Sequence, residues 1–169
     1  MTDLRVREER PADVAAIRTL VAAAFRDHPH SRQTEHRVIE ALRSRHALVV
    51  GLVAESDGEV VGHVAFTRVG LPHARGEWYG LGPLAVTPGR QRSGIGRALV
   101  AQGLAELRRL GAAGCVVLGE PAYYGRFGFT PWPGLSLEEA PPAYILGLPF
   151  GRDKPAGPIE FHSAFFEAE

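Results

Sequence analysis

The 169-residue chain has a single cysteine, Cys115, and a single lysine, Lys154. One cysteine excludes an internal disulfide and any thiolate-rich metal site. Lys+Arg and Asp+Glu number 19 each, so the formal net charge is zero and no global field draws nucleic acid or an anionic membrane to the chain. An anion site, if present, must be local. The longest apolar stretch, around 47–54, is far too short to span a bilayer. The opening MTDLRVREERP is charged and has no apolar signal core, so a cytoplasmic location is expected. None of the seven histidines shows His-x-x-x-His or another metal spacing, and no metal is expected.

What is present suits one globular domain spanning 1–169, with 45% hydrophobic and 22% charged residues. Leu4-Arg5-Val6-Arg7 alternates apolar and polar and predicts a short first strand. Pro11-Ala12-Asp13 opens a helical pattern carried on by Val14, Ile17, Leu20, Val21 and Ala24. Residues 27–33, with His28, Pro29 and His30, read as a loop. A second amphipathic helix follows, with Val38, Ile39 and Leu42 on one face, to about Ser44.

Residues 47–55 and 59–69 read as strands joined by Ser56-Asp57-Gly58, a hairpin signal because glycine accepts positive φ. A third antiparallel strand is expected over 78–86. Gly82-Pro83 inside it marks a bulge or splay, since proline donates no ladder hydrogen bond. The clearest helix is 94–110, with Ile95, Leu99, Leu104 and Leu107 as its stripe, Arg108 and Arg109 in the last turn and Gly111 as the cap. Cys115-Val116-Val117-Leu118 reads as a buried strand, and 144–148 and 158–162 as closing strands. The fold class is α+β.

The stretch "VTPGRQRSGIGRALV" places Gly94 and Gly96 among Arg90, Arg92 and Arg97 where a helix begins. A helix N-terminus exposes N–H groups without intrahelical partners, and its dipole favours negative charge. Glycines let a phosphate approach those donors, and Arg92 and Arg97 add charge-assisted contacts. The plain alternative is a tight connection and nothing more. A nucleotide-hydrolase loop is excluded because Gly-Lys-Ser/Thr is missing. A dinucleotide fingerprint would need glycine where Leu99 stands. A nucleophile elbow would need glycine where Gln91 and Ile95 stand.

"LGPLAVTPGRQRSGIGRALV" closely resembles the acyl-CoA-binding motif of the GCN5-related N-acetyltransferase (GNAT) superfamily. The motif is Gln/Arg-x-x-Gly-x-Gly/Ala after a strand ending in Val-x-Pro. Here it reads Gln91-Arg92-Ser93-Gly94-Ile95-Gly96 after Val86-Thr87-Pro88. "LGEPAYYGRFGF" looks like the turn after the fifth strand in one subgroup of predicted N-acetyltransferases, with Tyr124, Gly128 and Phe129 in register, and "GPIEFHSAF" resembles that subgroup's C-terminus. The resemblance is weakest before Leu48, the region that usually shapes the acceptor pocket.

The resemblance implies a mixed, mostly antiparallel central sheet with helices on both faces. Two splayed parallel strands, 81–86 and 115–118, would form the acyl-CoA cleft. It implies acetyl-CoA as co-substrate, with the backbone of Leu84, Ala85 and Val86 on the pantetheine arm. Gln91, Arg92, Ser93, Gly94, Ile95, Gly96 and Arg97 would hold the pyrophosphate. Direct attack by a neutral amine on the thioester is implied, with Tyr124 in the general-acid position and Tyr123 beside it as a competing donor. Glu77 is the leading candidate base, with Glu120 and His63 as alternatives and bulk water as another route. One departure stands out. Val117 occupies the place of an Asn seven residues before the tyrosine, and Pro121 is expected to shorten or distort the following helix.

Cys115 reads as core. Phe161, Phe165 and Phe166 read as packing, pocket wall or the surface of a homodimer. A non-catalytic acyl-CoA-binding or sensor module is the alternative function. The acceptor, a small-molecule or peptide amine, is not readable from the residues.

Overall fold

The computed structural model describes residues 3–29, 31–138 and 140–167; His30, in the expected loop, lies outside them. The strands are β1 (Leu4–Glu8), β2 (Leu48–Ser56), β3 (Glu59–Val69), β4 (Trp78–Val86), β5 (Gly114–Leu118), β6 (Thr130–Pro131), β7 (Leu135–Ser136), β8 (Ile145–Pro149) and β9 (Gly157–Pro158). The helices are α1 (Val14–Phe25), α2 (Glu35–Ser44), α3 (Ile95–Arg109), α4 (Pro121–Tyr124) and α5 (Ala164–Glu167). A seven-stranded sheet runs β1-β2-β3-β4-β5-β8-β6, and β7 pairs with β9 in a small second sheet. β4 and β5 are parallel, whereas β1–β2, β5–β8 and β6–β8 are antiparallel. This is the mixed, mostly antiparallel class that the residues and the resemblance led us to expect.

By contacts the chain forms two compact units: Met1–Phe66 with Gly82–Gly103 and Ser163–Glu169, and Thr67–Leu81 with Leu104–His162. In the first, Ile17 and Val21 of α1 and Ile39 of α2 pack with Val53 of β2 and with Ala85. Neighbouring strand residues face opposite sides, so Ala54 lies on the other face. There it neighbours Gly62, where an added Cβ would meet Ile95 and Leu99 of α3 at 2.8 Å. Helices therefore cover both faces. A Cβ on Gly103 would fall 2.2 Å from the Phe66 ring; the missing side chain is what lets α3 approach β3 so closely. The hairpin between β2 and β3 turns at Asp57 (φ 52) and Gly58 (φ 81), the two positive φ values that a type I′ turn requires.

In the second unit Val69, Trp78, Val116, Leu135, Ile145 and Ile159 form the core. Each fully buried side chain of this size contributes about 1.5–3 kcal/mol. The Trp78 indole donates to Asp153 Oδ2 at 3.0 Å, and the Trp132 indole donates to the Pro155 carbonyl at 3.0 Å.

Three expectations need correction. Residues 158–162 do not form a strand. Only Gly157–Pro158 pairs with β7, and a single bridge joins Gly70 and Glu160. Ile159 N–H still donates to the Ser136 carbonyl at 2.8 Å, but Glu160 N–H then turns to the Gly70 carbonyl at 2.8 Å, and Phe161 packs against that core and Gly80. The helical pattern from Pro11 starts as a 3₁₀ turn, Pro11–Asp13, ahead of α1. Tyr144 likewise ends a 3₁₀ turn before β8.

Candidate active site

The loop after β4 is built around three special backbone positions. Arg90 N–H donates to the Thr87 carbonyl at 2.9 Å, and Gly89 between them has φ 90. That closes the Pro-Gly turn in the type II form. Thr87 N–H is itself tied to Val61 at 2.9 Å. Arg92 (φ 66) and Gly94 (φ 89) then turn the chain into α3. The Ser93 hydroxyl donates to the Arg90 carbonyl, and the Gln91 amide reaches back to the Val86 carbonyl at 3.5 Å.

The first α3 bond runs from Ala98 N–H to the Gly94 carbonyl at 3.0 Å. The N–H groups of Ile95, Gly96 and Arg97 therefore precede any intrahelical acceptor and open from the helix end. Ile95 is 5% exposed and roots this end in the core, while Arg92 and Arg97 are exposed. A Cβ on Gly94 would meet nothing within 4 Å. The glycine is required by its φ, and the space in front of it is open. Fixed amides, two exposed guanidiniums and open space suit a phosphate-type anion.

Ahead of this loop, Ala85 is buried and Leu84 and Val86 are half-buried. The register of β4 with β5 covers Trp78–Gly80 against Gly114–Val116. Gly82 (φ 136) and a cis Gly82–Pro83 bond follow.

After β5 the chain turns through α4. Pro121 sits at the first helical position, where its fixed φ suits a helix start and its missing N–H costs nothing. Tyr123 and Tyr124 N–H both donate to the Glu120 carbonyl, at 3.1 and 3.0 Å. Pro121 thus begins a helix of a single turn, short as expected, and does not distort it. The Tyr124 ring packs edge-on against Tyr123 and Phe129, with centroids 4.9 and 6.0 Å away. Burial first, then the neighbouring Tyr123 and Cys115, push its phenol above the ordinary tyrosine range. Val117, where the resemblance led one to look for an Asn, is 2% exposed in the apolar run of β5.

The candidate proton acceptors differ sharply in setting. Glu77 is exposed; Arg68 donates to its Oε2 at 3.0 Å and the Tyr79 hydroxyl at 3.3 Å. Glu120 is exposed at the start of α4. His63 has no exposed surface, and its Nε2 lies 2.7 Å from Glu9 Oε1, while Arg43 Nε donates to Glu9 Oε2 at 2.7 Å. Burial disfavours the Glu9 charge, but hydrogen bonds from His63 and Arg43 outweigh it and hold its pKa below the usual carboxylate range. His63 belongs to this internal polar cluster. Glu9 and Arg43 were missed in the sequence because the partners stand 54 and 34 residues apart.

Burial raises the pKa of the Cys115 thiol well above its ordinary value, leaving little of the thiolate that a nucleophile needs. Phe161 and Phe165 pack against apolar clusters, whereas Phe166 is 63% exposed. Among the described residues no group of three His, Cys, Asp or Glu side chains is placed to hold a metal, and no helix is long and apolar enough to cross a membrane.

These features agree with what the chain resembles as a whole. The model of the acetyltransferase (GNAT) family matches residues 14–129. The chain is 38% identical over 125 residues, covering 73% of its own length and 72% of the relative, to the uncharacterized N-acetyltransferase YhbS of Escherichia coli K12. Its fold is similar to a GNAT family acetyltransferase from Brucella melitensis in complex with acetyl-CoA, at TM-score 0.86 and 47% identity over 96% of this chain and 98% of that one. It is also similar to Escherichia coli YhbS in complex with CoA, at TM-score 0.87 and 31% identity over 98% of this chain and 93% of that one. With the glycine loop opening α3 and the parallel β4–β5 pair in place, these matches show that the chain belongs to the GNAT family of acetyltransferases.

Proposed function

We propose that this chain transfers the acetyl group of acetyl-CoA to a primary amine, as a single catalytic domain working in the cytoplasm. The observation that carries the reading is the amide-lined start of α3 with open space before Gly94. It is supported by the acetyl-CoA and CoA bound in the two similar structures.

In this reading the backbone of Leu84, Ala85 and Val86 holds the pantetheine arm. Gln91, Arg92, Ser93, Gly94, Ile95, Gly96 and Arg97 hold the diphosphate. Positioning supplies much of the rate, because two reactants held together no longer lose that entropy in the transition state. The neutral amine attacks the thioester carbonyl and the C–N bond forms. The C–S bond then breaks, and Tyr124 gives its proton to the departing thiolate. The phenol is protonated at neutral pH, as an acid must be, and burial makes it a weaker acid than a free tyrosine. Glu77 takes the proton that the new ammonium group loses, through water.

Two measurements test the reading. Equilibrium titration with acetyl-CoA and CoA should show saturable binding, and no affinity for either overturns it. Thioester consumption against a panel of primary amines, with Tyr124→Phe alongside, should then show turnover that the variant loses. Binding without turnover on any amine would make the chain an acyl-CoA sensor.

A further inference from the structure

In the second unit, two loops bring basic side chains together at the end of the sheet where β4 and β5 start. His73 and Arg75 lie between β3 and β4, and Arg152 and Lys154 lie between β8 and β9. With Asp153 they line a cavity of about 480 Å³, a size ordinary for small-molecule sites. All four basic side chains are exposed, and among the described residues none has an ion-pair partner.

The one acid there is turned inward. Asp153 accepts the backbone N–H groups of Arg75 and Gly76 and the indole N–H of Trp78, all at 3.0–3.2 Å. The same carboxylate thereby ties the two loops to each other. Trp78 is 1% exposed, so this anchor is rigid. Two residues on, the Trp132 indole holds the Pro155 carbonyl. Pinning positions 153 and 155 leaves Arg152 and Lys154 facing out on either side of Asp153. Gathering unpaired cations in a chain of zero net charge costs Coulomb energy, and a bound anion removes that cost.

We infer that this cavity is a second anion site, taking a compact phosphate-bearing small molecule on Arg75, Arg152 and Lys154, with His73 at its rim. Two planar guanidinium forks match phosphate oxygens, and the pinned loops reduce the ordering that binding requires. None of these residues belongs to the acetyl-transfer machinery. Within this unit Tyr124 follows the far end of β5, so the five residues Gly114–Leu118, roughly 13 Å of strand, separate it from the cavity, whereas Glu77 stands near the cavity, two residues after Arg75.

Because Lys154 is the only lysine, an amine-reactive ester reports on this cavity without ambiguity. The full chain is titrated with inorganic tripolyphosphate at constant ionic strength, with and without CoA, and labelling of Lys154 and of the α-amino group is followed by mass spectrometry. Tripolyphosphate should slow Lys154 labelling about tenfold and leave the α-amino group unchanged, whether or not CoA is present. The exposed double substitution Arg75→Ala/Arg152→Ala should raise the midpoint about tenfold without altering the melting temperature. Labelling that ignores tripolyphosphate, or protection that persists unchanged in the double variant, overturns the site. Protection by a duplex oligonucleotide and not by tripolyphosphate overturns the small-molecule assignment.

Discussion

The Cε2–Cδ2 edge of the Tyr124 ring lies so near the backbone of Gly119 that a Cβ there would clash with it. Gly119 is also held in place by its N–H on the Tyr144 carbonyl at 3.0 Å. The glycine therefore sets where the phenol points. Gly119→Ala should push the ring aside and lower kcat about 10–100-fold, the usual cost of a misplaced catalytic group. Acetyl-CoA affinity should stay within about twofold. Steady-state kinetics beside a binding titration checks this. An unchanged kcat would mean that the ring's position does not matter to proton delivery.

Burial makes a second prediction from the same side chain. An acid works only while protonated, and the Tyr124 phenol is pushed above the ordinary range. Its acid form is then retained as pH rises through the free phenol's pKa of about 10. The wild-type kcat profile should show no loss with a midpoint at or below that value. Tyr124→Phe should lower kcat about 100-fold across the whole range. A wild-type alkaline limb near pH 9 that vanishes in Tyr124→Phe would contradict the burial-raised acid.

The two ends of α3 offer a matched pair. Gly94 precedes the helix with φ 89, and Gly111 follows it with φ 82; a Cβ at either would meet nothing within 4 Å. Alanine at each should cost a similar 1 kcal/mol or so of stability, since only backbone strain changes. Only Gly94→Ala should weaken acetyl-CoA, by about tenfold, because only there does the methyl stand before the exposed amides. Thermal melts and acetyl-CoA titrations on both variants separate strain from binding. Equal weakening by the two would remove the glycine loop from the binding site.

What could be read beforehand was local. β2, β3 and α3 announce themselves through alternation and helical spacing, and Asp57-Gly58 through turn chemistry. The loop from Gln91 to Arg97 was legible because its glycines, arginines and helix start are contiguous. Residues joined across long separations were not. Asp153 meets Trp78 from 75 residues away, and His63 meets Glu9 from 54; no short window shows that these polar groups satisfy one another inside. The short helix after Pro121 was expected, but the proline's place inside its first turn was not. A proline reads as a breaker unless it is known to stand at the first position of the helix.

Another buried carboxylate makes the chain's acid stability predictable. Asp13 is 7% exposed and accepts both Arg7 guanidinium nitrogens, at 2.8 and 3.0 Å, and the Arg10 backbone N–H at 2.7 Å. The Arg7 hydrogen bonds above all, working against burial, bring its pKa from the ordinary 3.8 down to about 2. Because the folded value lies below the unfolded one, the unfolded chain binds the proton more readily. The stabilisation, about 2 kcal/mol, is complete above the unfolded pKa and is lost as pH falls from near 4 toward 2. Asp13→Asn cannot ionise and leaves Arg7 without its closest countercharge, so it should be less stable at neutral pH, and the gap to wild type should narrow as the pH approaches 2. Denaturant titrations of both proteins at pH 7, 4 and 2.5 measure that gap. A difference that stays constant down to pH 2.5 would show that the Asp13 charge contributes nothing to holding the 3₁₀ turn onto β1.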